Sequence, residues 1–195
     1  MVSMNVTEKD AKDAVLTLIK YISKNTANAE VLRNTPSRVI DSFSELFSGY
    51  SISFDDEFDK HFENNFQYQN IVMLDSIVIS STCEHHLLPI RGFANIAYIP
   101  NERIIGLSKI CRIVEAVSRK LQLQERMTQE ILNIMEKYIK PKGCAVHIIA
   151  SHDCMSLRGI KKENSKTTTI LFSGEFETNL QKRNEFLQMI KNNQK

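Results

Sequence analysis

The hydrophobic positions of the first fifty residues recur at helical spacing. Ala14, Val15, Leu18, Ile19 and Ile22 share one face, and Val39, Ile40, Phe43, Leu46 and Phe47 make a second stripe that stops at Gly49. Thr35 before Pro36 reads as the N-cap and first position of that second helix. Residues 51–70 are polar and aromatic without a clean period, which predicts a loop with at most a short helix. Residues 71–80 and 93–98 are rich in strand formers, and residues 83–89 between them read as a connection carrying function. Two helices follow, with Ile110, Ile113, Val114 and Val117 inward on the first and Ile131, Leu132, Met135 and Tyr138 inward on the second. Pro141 and Gly143 end the pair. Residues 146–150 and 167–172 read as two more strands and residues 179–191 as a closing amphipathic helix. This order predicts an α+β fold with an antiparallel sheet, without internal repeats.

Composition narrows the class. A chain of 195 residues, 42% hydrophobic and 25% charged, suits one globular domain with an ordinary core and excludes a disordered tail or a disulfide miniprotein. The net charge of +2 is too small to argue for nucleic acid or an anionic membrane. Its distribution says more. Residues 103–126 carry six Arg and Lys against two Glu, residues 158–166 four against one, and residues 51–70 reverse the balance with five acids and one Lys. Clustered positive charge suits a small polyanion better than a long duplex; the alternative is solvated helix faces. The N-terminus lacks a secretory pattern, and the most apolar run, residues 71–79, is broken by Asp75 and Ser76. A cytoplasmic compartment without disulfides or membrane is therefore expected, and Cys83, Cys111, Cys144 and Cys154 each need another explanation. Cys111 and Cys144 read as buried small hydrophobes.

Cys83-Glu84-His85-His86 packs a thiol, a carboxylate and two imidazoles into four positions, and His152 with Cys154 supplies a second group further along. Zinc accepts thiolate and imidazole in a tetrahedron, and Cys83, His86 and a distant Cys154 suit three corners of one. An open fourth corner for water favours catalysis, whereas His85 or His152 as a fourth ligand would make the site structural. There is no His-Glu-x-x-His, no nucleobase-deaminase signature and no glycine-rich phosphate loop, so a nucleotide must be held by side chains and helix ends. Ser108, Lys109 and Arg112 near a helix N-terminus suit phosphate, with Arg119, Arg158, Lys161, Lys162 and Lys166 as further bases. Gln124 and Glu125 open the next helix, either as first-turn residues favoured by the dipole or as partners for a guanine edge.

These stretches together resemble the GTP cyclohydrolase I family. The resemblance rests on Ser81-Thr82-Cys83-Glu84-His85-His86, Gly106-Leu107-Ser108-Lys109 with Arg112, Gln122-Leu123-Gln124-Glu125-Arg126 with Thr128, and His152-Asp153-Cys154-Met155 with Arg158-Gly159. Ser165, Thr167 and Thr169 continue it, and Thr35-Pro36-Ser37-Arg38-Val39 resembles the family's N-terminal helix. It runs from about residue 10 to the C-terminus. Lys120 departs from it, standing where an Arg is usual, and residues 51–70 diverge.

The resemblance implies an α+β tunnel fold with packed helices, an N-terminal helical region over residues 1–50 and a catalytic domain over 51–195. Such units assemble as a toroidal homodecamer, a dimer of pentamers. The implied reaction opens the imidazole ring of GTP, releases C8 as formate and recloses to 7,8-dihydroneopterin triphosphate, the first step of pterin and tetrahydrofolate synthesis. Zn²⁺ on Cys83, His86 and Cys154 would lower the pKa of water toward neutrality. His85 and His152 would serve the proton transfers at N7 and the ribose oxygen, Gln124 and Glu125 would anchor guanine, and Ser108, Lys109, Arg112 and Arg158 would hold the triphosphate. Three alternatives remain at this level: a zinc hydrolase or deaminase of another nucleotide, a non-enzymatic zinc-stabilised assembly protein, and a tunnel-fold pterin or deazapurine enzyme with other chemistry. The last group lacks this pairing of motifs.

Overall fold

Thr7 and Asp10 cap the first helix reciprocally: Asp10 N–H donates to Thr7 Oγ1 (3.2 Å) and Thr7 N–H to Asp10 Oδ2 (2.9 Å). The structure, a computed structural model, describes residues 5–55, 62–65 and 67–193. Helix α1 spans Glu8–Ile22 and α2 spans Ala29–Leu46. The second helix begins well before the expected Thr35 cap. Asn28 Oδ1 accepts from Val31 N–H (2.9 Å) and so provides the cap, while Pro36 sits inside the helix with its ring buried. The two helices pack together within a compact unit, Met1–Ser48, in which α1 buries none of its residues.

The second unit, Gly49–Lys195, is built on a five-stranded sheet. Its elements are β1 (Phe62–Glu63), β2 (Val72–Cys83), β3 (Pro89–Ile99), β4 (Arg103–Ile104), α3 (Leu107–Ser118), β5 (Leu121–Gln122), α4 (Gln124–Ile139), β6 (Gly143–His152), α5 (Asp153–Ser156), β7 (Thr167–Gly174), α6 (Glu175–Thr178) and α7 (Leu180–Asn193). The sheet order is β5-β2-β3-β6-β7. All neighbours are antiparallel except β2 and β5, whose short parallel pairing corrects the expected purely antiparallel sheet. That pairing carries the chain from Gln122, opposite Cys83, straight into α4.

The strands also exceed their expected spans. β2 continues to Cys83, so the connection to β3 is only residues 84–88. Within the stretch read as a loop, Phe62–Glu63 pairs with Arg103–Ile104 in a separate small sheet, and residues 56–61 and 66 lie outside the described residues. Helices α3 and α4 pack on the sheet through Ile113, Val117, Met127, Ile131 and Met135, against Ile79, Ile96, Val146 and Ile148. A second cluster joins Phe176 and Phe186 to Ile71, Ile99 and Ala145. The periodicity that turns Ile110, Ile113 and Val114 inward leaves Cys111 exposed, which corrects its reading as a core residue; Cys144 is fully buried. Among the described residues no helix is long and apolar enough to cross a membrane.

One polar chain crosses this sheet. β2 breaks register between Leu74 and Ile77, with Ser76 left-handed at φ 55°. Asn95 Oδ1 accepts from Ser76 N–H (3.0 Å), which fixes the amide so that its Nδ2 donates to His147 Nδ1 (2.9 Å) on β6. An imidazole accepting at Nδ1 is neutral, and burial holds its pKa below the ordinary value of 6.5. Above pH 6.5 the folded and unfolded states are both neutral at this group. Below it the unfolded chain binds a proton that the folded chain refuses, so stability falls as pH drops from 6.5 toward the depressed folded value. We expect urea unfolding between pH 7 and 5 to show this fall, and His147→Gln, which has no proton to gain, to show a smaller one.

Candidate metal centre and active site

The register of three strands sets the site. Ser81 pairs with Ile90 and Ile90 with His152, making one row across β2, β3 and β6. β2 and β6 both run antiparallel to β3, so they leave the sheet in the same direction, and each reaches a cysteine two residues past the row, Cys83 and Cys154. Turns then fold over both strand ends. Leu87 N–H returns to the Cys83 carbonyl (2.9 Å) with Leu87 at φ 54°, and Cys83 N–H donates to the Leu88 carbonyl (2.8 Å). Beyond β6, Leu157 N–H closes α5 on the Asp153 carbonyl (3.0 Å).

The result is a compact donor set. Cys83 Sγ lies 3.8 Å from His86 Nδ1, and the ligand atoms of Cys83, His86 and Cys154 all lie within 4.8 Å of one another. Bonds of ~2.3 Å to sulfur and ~2.0 Å to nitrogen around a tetrahedral ion place such atoms ~3.5–3.8 Å apart, so the three groups fit one metal with little closure. Two thiols and an imidazole are the soft and borderline donors that zinc takes. The Cys154 thiol is pushed up by burial, then by its hydrogen bond to Cys83 and by that residue's charge, while the Arg158 guanidinium pulls the other way. Arg158 itself is exposed. His85 is exposed, its Nε2 3.8 Å from Glu84 Oε1, and it stands outside the three-donor group.

Behind the donors His152 is held by a buried network. Gln124 is 1% exposed, and its Nε2 faces three acceptors, the Ile148 carbonyl (3.2 Å), the Thr167 carbonyl (3.0 Å) and Thr169 Oγ1 (3.1 Å). Those acceptors fix the amide, leaving Gln124 Oε1 to accept from His152 Nε2 (2.8 Å). The neutral imidazole therefore carries its proton on Nε2 and keeps Nδ1 as its basic nitrogen. Burial lowers the His152 pKa, against a smaller raising effect of the Glu125 charge. Thr128 completes the support, its hydroxyl donating to the Gln124 carbonyl (2.7 Å) and meeting Thr169 Oγ1 (2.7 Å).

A second support ties the Cys83 turn to α4. Arg126 Nη2 donates to Glu84 Oε2 (2.5 Å) and the Leu121 carbonyl (2.8 Å), and Arg126 Nε to Gln122 Oε1 (3.0 Å). Glu125, one position earlier, is exposed at the start of the same helix. Ser108, Lys109 and Arg112 occupy the first turns of α3, Ser108 and Arg112 exposed and Lys109 half-buried. Sequence reasoning gave no role to Thr128, Thr169 or the Glu84–Arg126 pair. The available signal was the alternation that puts Thr167 and Thr169 on one side of β7.

Fold and donor set together define a mixed α+β protein with a candidate three-ligand metal centre at one end of its sheet. The chain belongs to the GTP cyclohydrolase I family, whose profile matches residues 11–191. It is 44% identical over 184 residues to GTP cyclohydrolase 1 of Rickettsia prowazekii, covering 94% of this chain and 96% of that one. It is 41% identical over 186 residues to GTP cyclohydrolase 1 of Allorhizobium ampelinum, covering 95% and 92%, and 42% identical over 185 residues to that of Pelagibacter ubique, covering 95% and 91%. Among solved structures, the apo crystal structure of the archaeosine synthase QueF-Like aligns with a TM-score of 0.45 and 15% identity, over 54% of this chain and 94% of that one.

Metal content checks the donor set directly. Cys83→Ser and Cys154→Ser should each retain less divalent metal by elemental analysis after loading and dialysis than the parent, whereas Cys111→Ser, altered on an exposed helix face, should match the parent.

Proposed function

We propose that this chain is a zinc-dependent GTP cyclohydrolase I, converting GTP and water to formate and 7,8-dihydroneopterin triphosphate at the head of pterin and tetrahydrofolate synthesis. The observation that carries the proposal is the convergence of Cys83, His86 and Cys154, with His152, two residues before Cys154, held by Gln124. Cys83, His86 and Cys154 would hold Zn²⁺, which when bound would supply Lewis-acid activation of water near neutral pH. The chain's own residues do the rest.

His152 is the principal proton carrier. Its Nε2–H is committed to Gln124, so a proton can be taken up and returned at Nδ1 without losing the ring's orientation. His85, exposed on the turn beside Cys83, is the second imidazole, and the two share the transfers at N7 and the ribose ring oxygen. Glu125 accepts from the N1–H and 2-amino groups of guanine. Gln124, expected to share that contact, has its side chain spent on the sheet and on His152, and it serves the base by aligning its neighbours. Adenine lacks both donors and would leave the carboxylate unpaired. Ser108, Lys109, Arg112 and Arg158 receive the triphosphate.

Residues 51–195 form the catalytic domain and residues 1–50 the N-terminal helical region. The domain is read as a tunnel-fold subunit of a toroidal homodecamer, a dimer of pentamers, acting in the cytoplasm. The sheet supports this with an eight-residue edge strand, β7, whose outer side offers backbone groups to a neighbouring copy.

Zinc-loaded protein should release formate from GTP together with a product that fluoresces as a pterin after oxidation, with no formate from ATP. Chelated protein should release none. Ammonia or phosphate in place of formate would identify a hydrolase or deaminase of another nucleotide. Glu125→Ala should weaken GTP turnover by at least about a hundredfold, on the scale of lost specific polar contacts to a base.

A further inference from the structure

Between the proton carrier His152 and the donor Cys154 lies Asp153, whose side chain is only 8% exposed. A carboxylate at that depth needs a cation or several hydrogen bonds. Arg91 provides the cation. It stands on β3 next to Ile90, the partner of His152, and its Nη2 spans both carboxylate oxygens at 3.0 and 2.8 Å. Ser156 Oγ approaches Asp153 Oδ1 at 3.4 Å, and Ser151 Oγ donates to the Arg91 carbonyl at 3.2 Å. The Arg91 side chain as a whole is 65% exposed, so the pair lies at the solvent side of the acid.

We infer that Arg91 is a positioning residue for the metal and proton-transfer site, acting through Asp153. The chain must leave β6 at His152 and turn at once into the four-residue α5, and a helix this short has almost no hydrogen bonding of its own to hold it. The Arg91–Asp153 pair fastens its first residue to the neighbouring strand. That fixes the backbone on both sides: His152 toward Gln124 and Cys154 toward Cys83. Among the described residues neither side chain of the pair hydrogen-bonds a donor atom or Glu125, so it governs metal retention and turnover and leaves base binding alone. The inference rests on the proposed GTP chemistry for its turnover arm and on the donor set alone for its metal arm.

The test uses full-length zinc-loaded protein, with Arg91→Met, Arg91→Lys and the double variant Arg91→Met/Asp153→Asn. Zinc affinity is read by chelator competition, kcat and KM by formate release from GTP, and Tm in parallel. Arg91→Met should weaken zinc binding by about tenfold, the scale for groups that orient metal ligands, and lower kcat by a similar factor while KM for GTP stays within about twofold. Arg91→Lys should recover part of both losses, and it carries the test if Arg91→Met fails to fold. The double variant removes the stranded charge and should regain Tm without regaining zinc affinity or kcat. Parental zinc affinity in Arg91→Met, or full recovery of affinity with Tm in the double variant, would overturn the inference. A parent that binds zinc but makes no formate sinks the proposed reaction instead and leaves the affinity comparison intact.

Discussion

Everything at the site follows from the in-register pairing of β2, β3 and β6. Side chains alternate across a sheet, so a one-residue slip of either outer strand would turn its cysteine or histidine to the opposite face. Held in register, the row Ser81, Ile90 and His152 brings two cysteines seventy-one residues apart to the same end of the sheet. The core enforces that register. Ile79, Ile96, Ile148 and Val146 pack beneath α3 and α4, and a slip would carry them away from those helices to the opposite face of the sheet. The metal donors thus inherit their position from hydrophobic burial that none of them supplies.

Strand register brings the donors near one another, and buried polar groups then orient them. Gln124 has no side-chain atom left over: its nitrogen faces three acceptors and its oxygen takes the His152 proton. Low dielectric makes each of those bonds costly to leave unmade, so the imidazole has one tautomer and one direction. The Glu84–Arg126–Gln122 links do the same for the Cys83 turn, joining it to the helix that presents Glu125. The Cys83 turn, the His152 ring and Glu125 are in this way fastened to a single helix start at α4.

Much of this could be read from the chain because reactive residues were crowded into short stretches. Three of five histidines and two of four cysteines fall in Cys83-Glu84-His85-His86 and His152-Asp153-Cys154, and the helices around Ile113 and Ile131 have unmistakable periods. What stayed hidden depended on partners distant in sequence. Asn28, seven residues before Thr35, takes the capping role expected of that residue by accepting from Val31 N–H. The two-residue pairs Phe62–Glu63 with Arg103–Ile104 and Leu121–Gln122 with β2 are too short to carry a period. Asp153 looks like any first-turn acid, and nothing near it in sequence announces Arg91, which lies on another strand. Cys111 and Cys144 are equally isolated thiols in the chain, yet the helix phase exposes one and the sheet buries the other.

Burial also separates the residues whose loss threatens the fold from those whose loss affects only the ligand. Glu125, Arg158 and Ser108 are exposed on helix starts or loops, where a charged or polar group is already hydrated and its removal costs the interior little. Gln124, Thr128 and Asp153 are buried, and removing any one leaves a partner unsatisfied in low dielectric. The exposed groups, proposed for the substrate, can therefore change with little effect on stability, while the buried ones that support the His152 ring and the turn into Cys154 cannot. A site divided this way can alter what it binds at its rim more readily than the chemistry at its floor, because only the floor is built from the same bonds that hold the sheet and helices together.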